Sequence, residues 1–295
     1  MNLDHAESSS SNSTEVEKWE FLQKAVEERS VKTAFGLYQN QGIEPILIKG
    51  WAAAVNYPSG KFRHSSDIDL AVAESKYDAA IEIARSADAK GLNLDIHREL
   101  RHLDSVPWKD IVGRSSVVQL DESNIRIPSA EDHLRILCVH WLTDGGWFRE
   151  RLWDIYYAVD NRPPGFDWSM CLDVVSRNRR LWVVYSVGLA HRYLGLNIDD
   201  LPFRDEAASV PRWLVRAVER EWESSVRLLP LQDFLDRPAD LMRQIAKRLP
   251  PNPISATIDV EGSFDSRFRI HYQVGSILKR VGPSFKRLVR QTFRR

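Results

Sequence analysis

The sequence predicts an α+β fold: a small mixed sheet flanked by helices, followed by a helical C-terminal region. Three observations carry this. Strand-like segments at Pro45–Ile48, Asp67–Val72 and Leu92–His97 are separated by segments of helical spacing. After Pro128 apolar residues recur every three or four positions, to about residue 250. The 295-residue chain shows no internal repeat, and its longest apolar run, Leu181–Ala190, is broken by Ser186. That run is far shorter than the roughly 20 residues of a membrane span.

Residues 1–14 are polar, with four consecutive serines from Ser8, and are expected to form a disordered leader. From Val16 to Gln41 apolar residues fall at helical spacing, with Ser30 placed to open a second helix and Gly42 to close it. Pro45–Ile48 is a continuous apolar run, as in a buried strand. Lys49-Gly50 ends it, and Trp51–Val55 starts a short helix. Tyr57–Ser66 is a loop carrying Lys61, Arg63 and His64. Asp67–Val72 alternates as a strand does, Ser75–Ala89 is helical up to Gly91, and Leu92–His97 alternates again. Val117–Leu120 and Ile125–Ile127 form a hairpin around a four-residue loop, Asp121–Asn124.

Ser129, with Asp132 three residues on, starts a helix whose apolar face is Leu134, Leu137, Cys138 and Trp141. Further helices are predicted at 147–160, 167–178, 180–194, 209–225 and 230–248, the last ended by the proline-rich Leu249–Pro253. Phe268–Val274 alternates in a strand-like way. The expected organisation is therefore a leader (1–14), an α/β core (15–128), a helical region (129–250) and a weakly defined basic tail (251–295).

Composition excludes some classes of function. The 41 basic and 41 acidic residues cancel, unlike those of a strongly basic nucleic-acid binder. Two cysteines, Cys138 and Cys171, cannot build a disulfide framework, and with the polar N-terminus they lead to the expectation of a cytoplasmic protein. The segment Lys279–Arg295 holds seven basic residues and no acid, so the rest of the chain carries a surplus of seven acidic charges.

The chemistry lies in Asp67-x-Asp69 on one strand and Asp95 on a later one. Residues i and i+2 share a strand face, and an acid from a neighbouring strand can converge with them. Clustered carboxylates call for a cation, and hard oxygen donors suit Mg²⁺. Two such ions can clamp the attacking and leaving oxygens of a displacement at phosphorus. Gly50, after a buried strand, allows close approach of a phosphate. Lys49 and Arg63 supply donors to it.

The run Ile46–Gly50, Tyr57-Pro58, Arg63, Ser66–Leu70 and Leu94–His97 resembles the DNA polymerase β-like nucleotidyltransferase superfamily. More narrowly, it is similar to the bacterial group of uncharacterised nucleotidyltransferases. The resemblance continues through Asp132-His133-Leu134, His140, Trp147–Ile155 and Phe166-Asp167-Trp168. It implies a nucleotidyltransferase core in which Asp67, Asp69 and Asp95 ligate two Mg²⁺ ions, and in which Asp95 helps to deprotonate an incoming hydroxyl. Lys49, Gly50, Arg63 and Ser66 would line the nucleoside triphosphate. The implied reaction moves a nucleoside monophosphate, AMP from ATP, to an unidentified acceptor hydroxyl or phosphate on a small molecule, peptide or protein, with release of pyrophosphate. Two departures stand out. Lys49-Gly50-Trp51 replaces the Gly-Ser or Gly-Gly of the wider superfamily, and Gly91 leads directly into Leu92–Asp95 where a longer stretch is usual.

Other readings stay open from the residues alone. Lys49 is also an ordinary strand-end lysine and Arg63 an ordinary loop charge. His97 shares the face of Asp95 and either acts with it or packs beside the sheet. His133 and His140, two helical turns apart, read first as core or hydrogen-bonding residues rather than metal ligands, and the five tryptophans from Trp141 to Trp182 as packing residues. The basic tail suits either a docked terminal helix or contact with nucleic acid or an anionic membrane. As a whole, the alternatives are a non-catalytic nucleotide-binding or regulatory protein on the same scaffold, or an RNA-modifying nucleotidyltransferase.

Overall fold

A single helix, α1 (Asp4–Gln39), opens the fold in the computed structural model, which describes residues 4–280 apart from 227, 230 and 235. Ser30 does not start a second helix. Its hydroxyl donates to Val26 O at 2.8 Å, the back-bond of a serine inside a continuous helix. The helical backbone includes residues 4–14, part of the segment expected as a leader. Val31, Ala34, Phe35 and Tyr38 form its buried stripe.

The fold is α+β, with a three-stranded and a two-stranded sheet and a helical C-terminal region. The chain divides into two compact units, residues 1–136 with 161–166, and residues 137–160 with 167–295. In the first unit β1 (Ile46–Leu47) leads through α2 (Trp51–Ala54) to β2 (Ile68–Val72), then α3 (Tyr77–Ala84) and β3 (Leu94–Arg98). The sheet order is β1-β2-β3, with β1 antiparallel to β2 and β2 parallel to β3. A parallel pair requires a crossover, which α3 supplies. Ile68, Leu70 and Val72 of β2 join Leu47, Ile96 and the α1 stripe in one core. Tyr38, in the same core, donates its hydroxyl to Ala80 O at 3.1 Å.

Helix α4 (Trp108–Arg114) precedes the hairpin of β4 (Ser116–Leu120) and β5 (Ser123–Ile127). Leu120 pairs with Ser123, so the turn has two residues, not the four expected. Asp121 takes the positive φ of 51° that this tight connection demands. Lys32 pairs with Asp121, and Gln39 Nε2 donates to Asn124 O at 3.3 Å, tying α1 to the hairpin end.

Helix α5 (Ala130–Thr143) crosses from the first unit into the second. On the first-unit side, Arg135 pairs with Asp104 at 2.9 Å and with Asp132, while Arg114 reaches Asp132 at 2.7 Å, so each buried charge meets an opposite one.

The second unit contains α6 (Leu152–Asp160), α7 (Trp168–Leu172), α8 (Arg177–Leu194), α9 (Arg204–Ala208), α10 (Arg212–Glu223), α11 (Pro238–Arg248) and α12 (Pro253–Asp259). The helix expected at 167–178 is the shorter α7. Asp167 caps it by accepting from Ser169 N and Met170 N. Ser176 then caps α8, and Gly195, at φ 74°, ends it. Gly188 lets α8 approach α9, since a Cβ there would lie 2.1 Å from Ala207 O. Trp141 and Trp182 are buried, and their indoles donate to Phe148 O and Gly262 O. The strand-like alternation at 268–274 is overturned, because residues 270–280 are helical. No helix among the described residues is long and apolar enough to cross a membrane. Residues 281–295, which hold most of the basic tail, lie outside the described residues.

Candidate active site

Alternation along β2 decides which side chains leave the core. Ile68, Leu70 and Val72 fill it, so Asp69 lies on the opposite face of the strand. The parallel register sets Asp69 beside Asp95 and Ala71 beside His97. Ligand atoms of Asp69, Asp95 and His97 all lie within 4.8 Å of one another, the one such acidic or histidine group among the described residues. Asp69 is only 2% exposed, while Asp95 is exposed.

Lys49 and His97 hold this cluster together. Lys49, itself 7% exposed, places Nζ 2.5 Å from Asp69 Oδ1. His97 Nε2 lies 3.1 Å from Asp69 Oδ1 and 3.2 Å from Asp95 Oδ2. Burial raises the Asp69 carboxyl, but the bond from His97 and the charge of Lys49 prevail and bring it to about 2. The His97 bond also lowers Asp95, against its partial burial. For His97, burial works against the charged form, and the bonds to Asp69 and Asp95 outweigh it, raising the imidazole above its usual value.

Gly50 follows Lys49 with φ 62° and ψ −123°. A Cβ there would sit 2.8 Å from Ser65 Oγ and 3.4 Å from Asp67 O, so two chain segments touch where only glycine fits. Ser65 Oγ donates to Asp67 O at 2.9 Å, and Asn93 Nδ2 donates to Ser66 O at 2.8 Å. These bonds fix the loop entering β2 against the one entering β3.

The other residues singled out in the sequence lie around this loop. Asp67 is outside the three-residue cluster and lines a hollow of about 310 Å³ with Trp19, Val26, Glu27, Ser66 and Asn93. Arg63 lies beside Glu27, and its Nη1 donates to His64 O at 3.3 Å. His140 Nε2 lies 3.0 Å from Arg151 Nη1.

Two participants carry more weight than the sequence alone assigns them. His97 links both carboxylates, and its signal was the i+2 spacing from Asp95. Glu27 was not singled out at all. It continues the buried stripe one turn before Val31, and a charge on such a stripe is the signal that could have found it. Burial pushes its carboxyl up to about 7, against the charge of Arg63 and the Ser65 N–H that it accepts. Its Oε1 is buried with no hydrogen-bond partner among the described residues.

The residues fit a divalent cation. Two hard carboxylates converge with an imidazole on one face of a sheet, and the buried Lys49 ammonium beside Asp69 shows that the site concentrates negative charge. A sequence model of a family described as uncharacterised nucleotidyltransferase matches residues 21–195, more than half of the chain. No curated protein and no solved structure matches.

Proposed function

The chain belongs to the uncharacterised nucleotidyltransferase family, and on that premise we propose that it transfers a nucleoside monophosphate, AMP from ATP, to an acceptor hydroxyl or phosphate in a Mg²⁺-dependent reaction. The observation that carries this reading is the register of Asp69 with Asp95, which sets two carboxylates side by side with His97 between them. Asp67, Asp69 and Asp95 hold the cations in this proposal, and Lys49, Gly50, Arg63 and Ser66 line the triphosphate. When bound, the divalent ions supply charge neutralisation at the phosphates and at the attacking oxygen.

The chain's own residues do the rest. Asp95, exposed at the end of the cluster, takes the proton from the acceptor oxygen as that oxygen bonds to the α-phosphorus. The bond from the α-phosphorus to the β-bridging oxygen breaks, and pyrophosphate leaves. Lys49 meets negative charge with a point charge, and His97 keeps Asp95 oriented.

Incubation with ATP labelled at the α or the γ position tests the reaction class. Label from the α position should appear on an acceptor and label from γ in pyrophosphate. Acceptor labelled only from γ would overturn the reading in favour of a kinase. The acceptor is found by incubating a cell extract with enzyme and ATP and searching by mass spectrometry for an added nucleotide mass.

A further inference from the structure

We propose that the second unit carries a binding site for a small ring compound bearing a single carboxylate, formed by the loop at Trp147 and the end of α11. The site is a hollow of about 280 Å³ that lies wholly within that unit. Trp147 and Phe148 line it from the loop, and Lys247 and Arg248 from the helix. Its volume is just below the roughly 300–1,000 Å³ of small-molecule sites, so it takes one ring with a short substituent and not a nucleoside triphosphate.

The two aromatic side chains are presented by a fixed loop. Gly145 and Gly146 precede them at φ 75° and 72°, the left-handed conformation that glycine tolerates. Three carbonyls of the loop accept side-chain donors from elsewhere in the unit. Gly145 O accepts from Asn252 Nδ2 at 3.2 Å, Gly146 O from Trp222 Nε1 at 2.9 Å and Phe148 O from Trp141 Nε1 at 2.9 Å. The ring centroids of Trp147 and Phe148 lie 4.5 Å apart, and the Arg151 guanidinium stands over Phe148 at 4.3 Å. Both rings are half-buried and keep surface open to the hollow. A flat ring stacks there at little ordering cost, because the loop is already ordered.

Charge decides the kind of ligand. The acids at the hollow are matched, Asp144 by Arg151 Nη1 at 3.0 Å and Glu221 by Lys247 Nζ at 2.7 Å. Arg280, also at the hollow, meets Asp259 with its Nε at 2.8 Å. Arg248 is different. Its Nη1 donates to Gln244 O at 2.9 Å and to Gln244 Oε1 at 2.8 Å, and its Nη2 donates to Leu229 O at 2.6 Å. These are neutral oxygens, and no carboxylate pairs with Arg248 among the described residues. The bonds use at most three of the five N–H groups and hold the guanidinium in place, leaving donors and a full positive charge for a ligand. A carboxylate accepts two such N–H groups side by side and cancels one charge. An organic cation finds no unmatched acid at the hollow, and a phosphate dianion brings more charge than Arg248 can cancel.

The test uses the full chain, with sodium benzoate as the probe and titrations followed by saturation-transfer NMR and calorimetry. Acetate, benzyl alcohol and benzylamine supply the charge without the ring, the ring without the charge, and the opposite charge. Benzoate is expected to bind saturably and at least about tenfold more tightly than each of the three. Arg248→Gln should weaken benzoate binding by roughly tenfold or more, and Trp147→Leu by roughly fivefold. Arg248 also ties Leu229 to Gln244, so the melting temperature of both variants is followed. If Arg248→Gln fails to fold, the wild-type ranking and Trp147→Leu decide. The proposal is overturned by an absence of saturable benzoate binding, by an affinity no better than that of acetate or benzyl alcohol, or by a preference for benzylamine. Benzoate binding unchanged in the folded variants overturns it equally.

Discussion

Lys49 and Asp69 form an ion pair, Nζ to Oδ1 at 2.5 Å, with both side chains almost wholly withdrawn from solvent. Neither charge has water to fall back on, so each depends on the other and on His97.

Lys49→Met should therefore destabilise the fold by about 3 kcal/mol, because it leaves a buried carboxylate with only an imidazole beside it. A divalent cation should replace the missing charge. Millimolar Mg²⁺ or Mn²⁺ is expected to raise the melting temperature of Lys49→Met more than that of the wild type. Thermal melts with metal and with chelator read this directly, and equal shifts in the two proteins would contradict it.

The same cluster sets a pH window. Asp69 falls to about 2 from its usual 3.8, so its stabilisation is complete above that usual value and fades as pH falls through about 2. His97 is raised above its usual 6.5, so its share is complete below 6.5 and fades as pH rises through the raised value. The stability difference between wild type and Asp69→Asn should peak near pH 5–6, at about 2 kcal/mol, and shrink on either side. Urea denaturation at intervals from pH 3 to 9 measures it, and a pH-independent difference would be inconsistent with this linkage.

Glu27 behaves in the opposite sense. Burial raises its carboxyl from 4.5 to about 7, with Glu28 and Asp67 adding to the push and Arg63 and the Ser65 N–H opposing it. Ionising it costs stability progressively between those values, and the cost is complete above the upper one. Glu27→Gln should melt close to the wild type at pH 4 and a few degrees higher at pH 8. A lower melting temperature at pH 8 would show that the charge is needed, as a partner for Arg63.

Gly50→Ala meets two obstacles, a positive φ of 62° and Ser65 Oγ at 2.8 Å from the new Cβ. A loss of about 2 kcal/mol is expected. Adding Ser65→Ala relieves the contact but not the dihedral strain, so the double variant should retain about 1 kcal/mol of the Gly50→Ala cost relative to Ser65→Ala alone. A double-mutant cycle in urea separates the two parts, and strict additivity would show that Ser65 is not the obstacle.

For catalysis, Asp69→Asn and Asp95→Asn should each lower turnover by on the order of 10²–10³ while leaving secondary structure intact. Circular dichroism controls for folding, and labelled-ATP turnover gives the rate. Full activity in Asp69→Asn would remove the cluster from the mechanism.

The elements around this site were legible because period-two alternation is a local signal. Asp67–Val72 and Leu92–His97 show it plainly, and both contain strands. Their pairing was not legible, because register depends on hydrogen bonds between segments far apart in sequence. Ser30 resembled a helix start, since a serine caps or continues a helix according to where its hydroxyl turns, here back to Val26 O. Phe268–Val274 misled for a different reason. Its alternate apolar residues are divided between an anchored Tyr272 and exposed Ile270 and Val274, so alternation there did not mark a sheet face. Glu27 stayed hidden because its importance arises from the loop at Ser65, which only the fold brings to it.

The parallel ladder between β2 and β3 has one more consequence. The separation of Asp69 and Asp95 is set by the rungs of hydrogen bonding and not by the length of chain that runs between them through α3. Insertions or deletions between Ala84 and Asn93 leave the two carboxylates neighbours, provided β3 re-enters the ladder in the same register. A single residue gained in β3 just before Asp95 would turn Asp95 and His97 together toward the core and bring apolar groups into their place. Length variation is thus tolerated up to Asn93 and forbidden just after it, which accommodates the short passage from Gly91 to Asp95 in this chain.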